Sequence, residues 1–398
     1  MGILTGSYQF IFMGHDAILS QLVNALFDAA KSGVEITIGL LGILCLWLGL
    51  LNIAKEAGMV DWLARRLTPL FRTLMPEIPE GHPAIGAMAL NFAANILGLD
   101  NAATPMGLKA MKELQTLNPN KERATNAQIM FLVINASSIT LLPVSIFMFR
   151  AQQGASDPTS VFIPILLATT ASTLTGILST ALMQRISLFN KSFLLFVGTL
   201  VGIIGGLIVY LHHLPSAEMV QQSSVIGHLI LVVVITTFLV TGWAKKVPVY
   251  ETFVEGAKEG FQIAITILPF LIAMLAAIAV FRASGALDFL LDGIRYLVEL
   301  AGLDSDFIPA LPTALIKPFS GSGARAMMIE TMQHYGANSF PAFVSSVIQG
   351  STETTLYVVA LYYGSVGIKQ VRHTIGCGLL ADLAGVLAGI WVSYWFFA

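Results

Sequence analysis

Charge is scarce in this sequence. Asp, Glu, Lys and Arg make up 11% of its 398 residues, where a soluble domain carries roughly 25%. That shortfall, with 56% apolar residues and a mean hydropathy of +0.78, excludes a soluble globular class and indicates an integral membrane protein. No block of like charge is present, so nothing points to nucleic acid as a partner. The formal net charge of −2 decides little, because membrane orientation follows Lys and Arg by loop. Cysteine is nearly absent: Cys45 and Cys377 both fall in apolar runs and support neither a disulfide framework nor a metal site. The first residues lack a basic region followed by a small-residue cleavage site, so no signal peptide is expected.

What is present is long hydrophobic runs. Crossing a hydrocarbon core takes about 20 helical residues. Eight segments meet that requirement: 33–54, 125–149, 160–183, 192–212, 225–244, 260–282, 340–363 and 372–396. Two further stretches, 84–116 and 307–335, are broken midway by polar residues, Gly and Pro. Each arm reaches only about the bilayer middle at roughly 1.5 Å per residue, so both read as re-entrant hairpins. The expected fold is an all-α polytopic membrane protein with about eight transmembrane helices plus two re-entrant hairpins. Residues 8–30 have a 3.6-type pattern suited to an amphipathic helix lying in the interface. Segments 58–74 and 286–300 read as similar surface helices.

Two parts of the chain repeat. Gly33 to Leu63 aligns with Gly260 to Leu290 at a shift of 227, pairing Ala57-Gly58 with Ser284-Gly285. Ile134 to Leu141 aligns with Ile348 to Thr355 at a shift of 214. With residue 33 starting outside, most of the 21 Lys and Arg fall on the inner side. Only Lys31, Arg150, Arg282 and Arg295 fall outside, and Lys317 and Arg325 lie within the second hairpin, a strong positive-inside bias. Five crossings then separate the two starts, so the repeats are expected in inverted topology. The expected division is an N-terminal interfacial helix (1–32), a first repeat (33–183), two linking helices (184–259) and a second repeat (260–398).

Inverted repeats with polar, interrupted segments are how many secondary transporters build a midplane site. The first hairpin carries Asn95, Asp100, Asn101 and Thr104-Pro105. Thr104 is suited to capping a helix that Pro105 starts, leaving backbone N–H groups to face an anion. The second hairpin breaks at Ser320-Gly321-Ser322-Gly323, between Lys317 and Arg325. The spans that follow carry Asn135, Ser137, Ser138 and Thr140, and Gln349, Ser351, Thr352, Glu353 and Thr354. Ser and Thr also glue membrane helices together without binding anything, and that packing alternative applies to Ser137, Thr140, Ser351 and Thr354. A carboxylate within a span is a functional candidate by default, which singles out Glu353 and Asp382. The alternative for Glu353 is a structural ion pair with Lys317 or Arg325.

The string from Asn91 to Gln115, with Gly98-Leu99-Asp100-Asn101 and Thr104-Pro105-Met106-Gly107, resembles the spore maturation protein A family. Gly350-Ser351-Thr352-Glu353-Thr354-Thr355, Tyr363 to Lys369, Arg372-His373 and Gly378 to Gly385 resemble the spore maturation protein B family. The chain thus looks like a natural fusion of the two. This resemblance implies a nucleoside-recognition, or gate-domain, membrane family related to concentrative nucleoside transporters, in which two hairpins and two interrupted helices hold substrate and coupling ion.

The expected function is secondary transport of a small polar or anionic solute, coupled to Na⁺ or H⁺ through Glu353 and Asp382, across the inner membrane of a bacterium. No other cofactor is expected, and no enzyme activity, since the spans hold no Ser/His/Asp or metal-ligand constellation. The rival reading is a non-transporting membrane scaffold or sensor. Segments 192–212 and 225–244 are candidates for a scaffold or a homo-oligomer face.

Overall fold

A computed structural model describes residues 2–13, 17–96, 100–137, 141–186 and 191–397. The first half runs α1 (Gly2–Met13), α2 (Ala17–Glu56), α3 (Met59–Leu74), α4 (Pro83–Ile96), α5 (Asp100–Thr116), α6 (Asn126–Ser137), α7 (Val144–Gln152) and α8 (Phe162–Gln184). Two joining helices follow, α9 (Lys191–His212) and α10 (Ser216–Ala244). The second half runs α11 (Val249–Ala283), α12 (Ala286–Leu300), α13 (Leu311–Ile316), α14 (Gly321–Tyr335), α15 (Phe340–Ser351), α16 (Thr355–Val366) and α17 (Thr374–Phe397). Among the described residues there is no strand, only an isolated bridge between Arg123 and Gln370.

Five helices (α2, α8, α10, α11 and α17) are long and apolar enough to cross a membrane unbroken. The apolar α9 adds a sixth, and the interrupted pairs α6–α7 and α15–α16 supply the remaining two expected spans. The stretches expected as hairpins form α4–α5 and α13–α14. One boundary differs from expectation: α2 runs unbroken from Ala17 to Glu56, so residues 17–32 continue the first span instead of forming a separate surface helix. Nothing between Ala17 and Gly33 caps or breaks a helix; the only glycine there is Gly33 itself, which packs against Ile272. The surface helices α3 and α12 each start after a glycine in the left-handed region, Gly58 at φ 76° and Gly285 at φ 70°, a conformation that costs glycine nothing.

The inverted relation of the repeats is visible in two helix pairs. In α2 and α11, a Cβ on Gly33 would stand 2.7 Å from Ile272, and one on Gly260 would stand 2.8 Å from the Cys45 backbone. Gly260 and Ile272 lie 227 positions beyond Gly33 and Cys45, so the two contacts exchange under the repeat shift. The helices run antiparallel, and small residues allow the close approach that membrane helix packing uses. In α8 and α17, Cβ positions at Gly176 and Gly389 fall 3.3 Å from Ala381 and 3.7 Å from Ala168. A shift of 213 exchanges those contacts as well, and carries Ser172 onto its own neighbour Gly385. The pseudo-twofold axis therefore passes between Ser172 and Gly385.

Candidate functional site

Helices α6 and α15 end at matching positions, Ser137 and Ser351, and there the two repeats meet. The Glu353 N–H donates to the Ala136 carbonyl at 2.8 Å, joining the break of the second repeat to the end of α6. Thr352 is fully extended (φ −146°, ψ 169°), which stops α15 at Ser351. Helix α6 ends at Ser137, and α7 starts after Pro143, whose ring cannot continue a helix. Ser138 and Thr140 lie outside the described residues.

On the first-repeat side the polar groups satisfy one another. Asn91 and Asn95 stand one turn apart on α4. Asn135 Nδ2 donates to Asn91 Oδ1 at 2.8 Å, and Asn95 Nδ2 donates to Asn135 Oδ1 at 3.0 Å. Asn91 Nδ2 in turn donates to the Ala103 carbonyl of α5 at 2.7 Å. The Tyr362 hydroxyl lies 3.5 Å from the same nitrogen, and its ring stacks on Phe131. Gly107 makes this possible, because a Cβ there would collide with the Tyr362 hydroxyl. The network ties the first hairpin to α6 and α16.

Helix α5 does not begin as the sequence pattern predicts. It starts at Asp100, with Asn101 in its first turn, so Thr104 is not a cap and Pro105 lies inside the helix. Pro105 there removes the bond to the Asn101 carbonyl and crowds that carbonyl, the cost a proline carries inside a helix. The expected anion-binding helix start at Thr104 is absent, and Thr104 is a half-buried residue of the second turn.

On the second-repeat side the same positions are differently served. Lys317 is 3% exposed and donates from Nζ to the Gln349 carbonyl at 2.8 Å. The Leu356 N–H donates to the Pro318 carbonyl at 2.8 Å, holding the hairpin tip on the restart of α16. Gly321 fits under Thr354, whose hydroxyl would be 2.8 Å from a Cβ there. Ser320 caps α14 by accepting from the Gly323 N–H at 3.0 Å, and its hydroxyl lies 3.2 Å from that of the exposed Ser322.

Asp382 stands on α17 between Gly378 and Gly385, which share its face. That face packs on the break: Cβ positions at Gly378 and Gly385 would meet the methyls of Thr355 and Thr352, at 2.5 and 2.7 Å. Asp382 is 4% exposed; the Thr355 hydroxyl stands beside its carboxyl, and among the described residues neither group has a well-formed hydrogen bond. Gln349 Oε1, Thr352 Oγ1 and Ser172 Oγ are buried and unpartnered too. Lys317 and Glu353 both lie within electrostatic reach of the Asp382 carboxyl.

Several expected residues take other roles. Ser137 and Ser351, equivalent positions of the two repeats, bond back to carbonyls of their own helices, those of Ile134 (3.2 Å) and Ile348 (2.8 Å). Arg325 is not a partner for Glu353; its guanidinium lies over the Phe149 ring, 5.4 Å from the centroid. Lys317 is engaged by Gln349 instead. The Glu353 side chain is exposed, its backbone alone being fixed. Asn91, Tyr362, Thr355 and Ser172 belong to the site but were not among the expected residues. The four-residue spacing of Asn91 and Asn95 marks the first of these. Thr355 directly follows the Gln349–Thr354 string, and Ser172 emerges only from the 213-residue shift onto Gly385.

With this geometry in view, comparison with known proteins is decisive about family. Residues 37–153 and 264–369 each match the Gate family, described as nucleoside recognition, and together they cover more than half of the chain. The chain belongs to the Gate family. The two matched segments hold the two hairpins and the two interrupted helices, so the Gate unit occurs twice and its copies meet at the break. Spore maturation protein B of Bacillus subtilis is 48% identical over 158 residues, which are 40% of this chain and 87% of that protein. Spore maturation protein A of the same organism is 39% identical over 162 residues, 41% of this chain and 83% of that protein. Two separate Gate-type relatives thus each correspond to about two fifths of one multi-pass membrane chain, as in a fusion.

Proposed function

We propose that this Gate protein is a secondary transporter of a small polar or anionic solute in a bacterial inner membrane, coupled to Na⁺ or H⁺. The observation that supports this most strongly is the meeting of two interrupted helices on a pseudo-twofold axis, bonded from Glu353 N–H to Ala136 O and flanked by two hairpins. Irregular backbone at membrane depth is tolerated where it is buried in protein or lines a wet cavity, and inverted repeats place such breaks where either side can reach them. The solute is held by the groups around the second break, the Gln349 amide, the hydroxyls of Thr352 and Thr354, the hairpin serines Ser320 and Ser322 and the Lys317 ammonium, while Asn95 and Asn135 hold the first break in place. Glu353, exposed and electrostatically coupled to Asp382, carries the link between solute and ion.

The test is uptake into proteoliposomes under an imposed Na⁺ or pH gradient, with nucleosides, amino acids and dicarboxylates as probes. Gradient-driven accumulation of one class is expected, and Glu353→Gln is expected to abolish it while the protein still inserts. Unchanged gradient-driven uptake in Glu353→Gln would remove that residue from coupling. Stabilisation by a solute with no uptake under any gradient would replace transport with a ligand-binding scaffold or sensor.

A further inference from the structure

The buried oxygens around Asp382 have more to do than line a solute pocket. Among the described residues, both carboxyl oxygens of Asp382 and the side-chain oxygens of Gln349, Thr352, Thr355 and Ser172 are buried without a well-formed hydrogen bond, the Thr355 hydroxyl standing beside the Asp382 carboxyl. They are contributed by α17, by the break between α15 and α16 and by α8, elements that Gly378 and Gly385 allow to close on one another. Leaving several buried oxygens unsatisfied is costly, and an isolated buried carboxylate more so. One carboxylate with neutral hydroxyl and amide oxygens is a hard, low-charge donor set, suited to an alkali cation and too weakly charged for a divalent one.

A positive charge already stands beside this set. The Lys317 ammonium is buried, within electrostatic reach of Asp382, and anchored to the Gln349 carbonyl at 2.8 Å. It sits at the tip of the second hairpin, next to Pro318, whose carbonyl holds α16. Any movement of that tip moves the ammonium relative to the carboxylate.

We infer that Asp382, Thr352, Thr355 and Gln349 form a Na⁺ site in the second repeat, and that Lys317 is its built-in competitor, neutralising Asp382 when the metal ion is absent. The inference rests on the transport reading for its purpose, since it names where the coupling ion binds and which hairpin responds. Binding takes over the charge balance of the Asp382 carboxylate and thereby loosens the second hairpin, while the first hairpin stays fixed by its asparagines. Glu353 is outside this donor set and remains the solute-side carboxylate. The first repeat has no matching site, because the residue equivalent to Asp382 at the 213-residue shift is Thr169.

The experiment is thermal unfolding of the full-length protein in detergent, titrated with NaCl, LiCl or KCl against choline chloride at constant ionic strength and without solute. Na⁺ is expected to raise the midpoint of the native protein. Asp382→Asn is expected to lose the shift, and the isosteric pair Thr352→Val with Thr355→Val to weaken Na⁺ about ten- to a hundred-fold. The valine pair removes no well-formed hydrogen bond among the described residues, so it keeps the test alive if Asp382→Asn fails to fold. Lys317→Gln is expected to tighten Na⁺, because the competing ammonium is gone. No midpoint shift with any alkali cation, an undiminished shift in the valine pair, or weaker Na⁺ binding in Lys317→Gln would each overturn the inference. Na⁺ binding with these properties but no Na⁺-driven uptake would leave the site standing and sink the transport reading. Na⁺-driven uptake that survives Asp382→Asn would do the reverse.

Discussion

The two repeats share one architecture and treat their central polar residues in opposite ways. In the first, Asn91, Asn95 and Asn135 exchange hydrogen bonds and reach out to Ala103 and Tyr362. In the second, Gln349, Thr352, Thr355 and Asp382 keep unpartnered oxygens at the equivalent depth. Asn135 and Gln349 are the same position of the repeat, 214 residues apart, yet one amide is the hub of a network and the other presents an unpaired oxygen. Duplication supplied the symmetry, and divergence of a few side chains made one half a frame and the other a binding half.

Substitutions at equivalent positions test that division directly. The largest effect is expected from Asn135→Leu, which strands the buried Asn91 Oδ1 and the half-buried Asn95 Nδ2, while Asn91 Nδ2 keeps the Ala103 carbonyl. At about 1–3 kcal/mol for each stranded group, a loss of roughly 3 kcal/mol should appear in chemical unfolding in detergent. A loss below about 1 kcal/mol would mean that the network is not a frame. Next comes Glu330→Gln. Glu330 accepts from Arg282 Nη2 at 3.0 Å, with both side chains largely buried, and ties α14 of the second hairpin to α11. Losing this charge-assisted bond is expected to cost about 2 kcal/mol, and amide exchange should quicken along 311–335 while 84–116 is unchanged. Equal quickening in both hairpins would show that they are mechanically one unit. The smallest effect is expected from Gln349→Leu, whose side-chain oxygen has no partner to strand. Stability should stay within about 1 kcal/mol of the native protein, with solute binding lost. A destabilisation matching that of Asn135→Leu would erase the contrast between the repeats.

The sequence carried the architecture well, because the features that define it are local. Apolar length marks a span, a Gly-Pro or Gly-Ser interruption marks a hairpin, and the shift between copies marks the duplication. Some residues of the break stand out for the same reason: amides and a carboxylate inside an apolar run are costly there, whereas the hydroxyls read equally well as helix packing. What was not legible depends on which neighbour arrives first. Thr104-Pro105 has the local chemistry of a helix start, but the helix begins a turn earlier at Asp100, and the Ala103 carbonyl is taken up by Asn91. Arg325 and Glu353 suggest a pair by charge alone, and only packing shows the guanidinium against Phe149. The burial of Asp382 could be anticipated from its run, whereas its lack of a well-formed hydrogen bond among the described residues could not.

Helices α8 and α17 touch across the axis at Ser172 and Gly385, one residue from each half. A centre built that way belongs to neither half alone. Two separately made polypeptides would have to find each other, in matched amounts and opposite orientations, before it existed. Carrying both on one chain sets their ratio at one to one and makes their meeting an intramolecular event at high effective concentration. The helices α9 and α10 between the repeats are, in this sense, a tether that makes assembly independent of how much protein the cell produces.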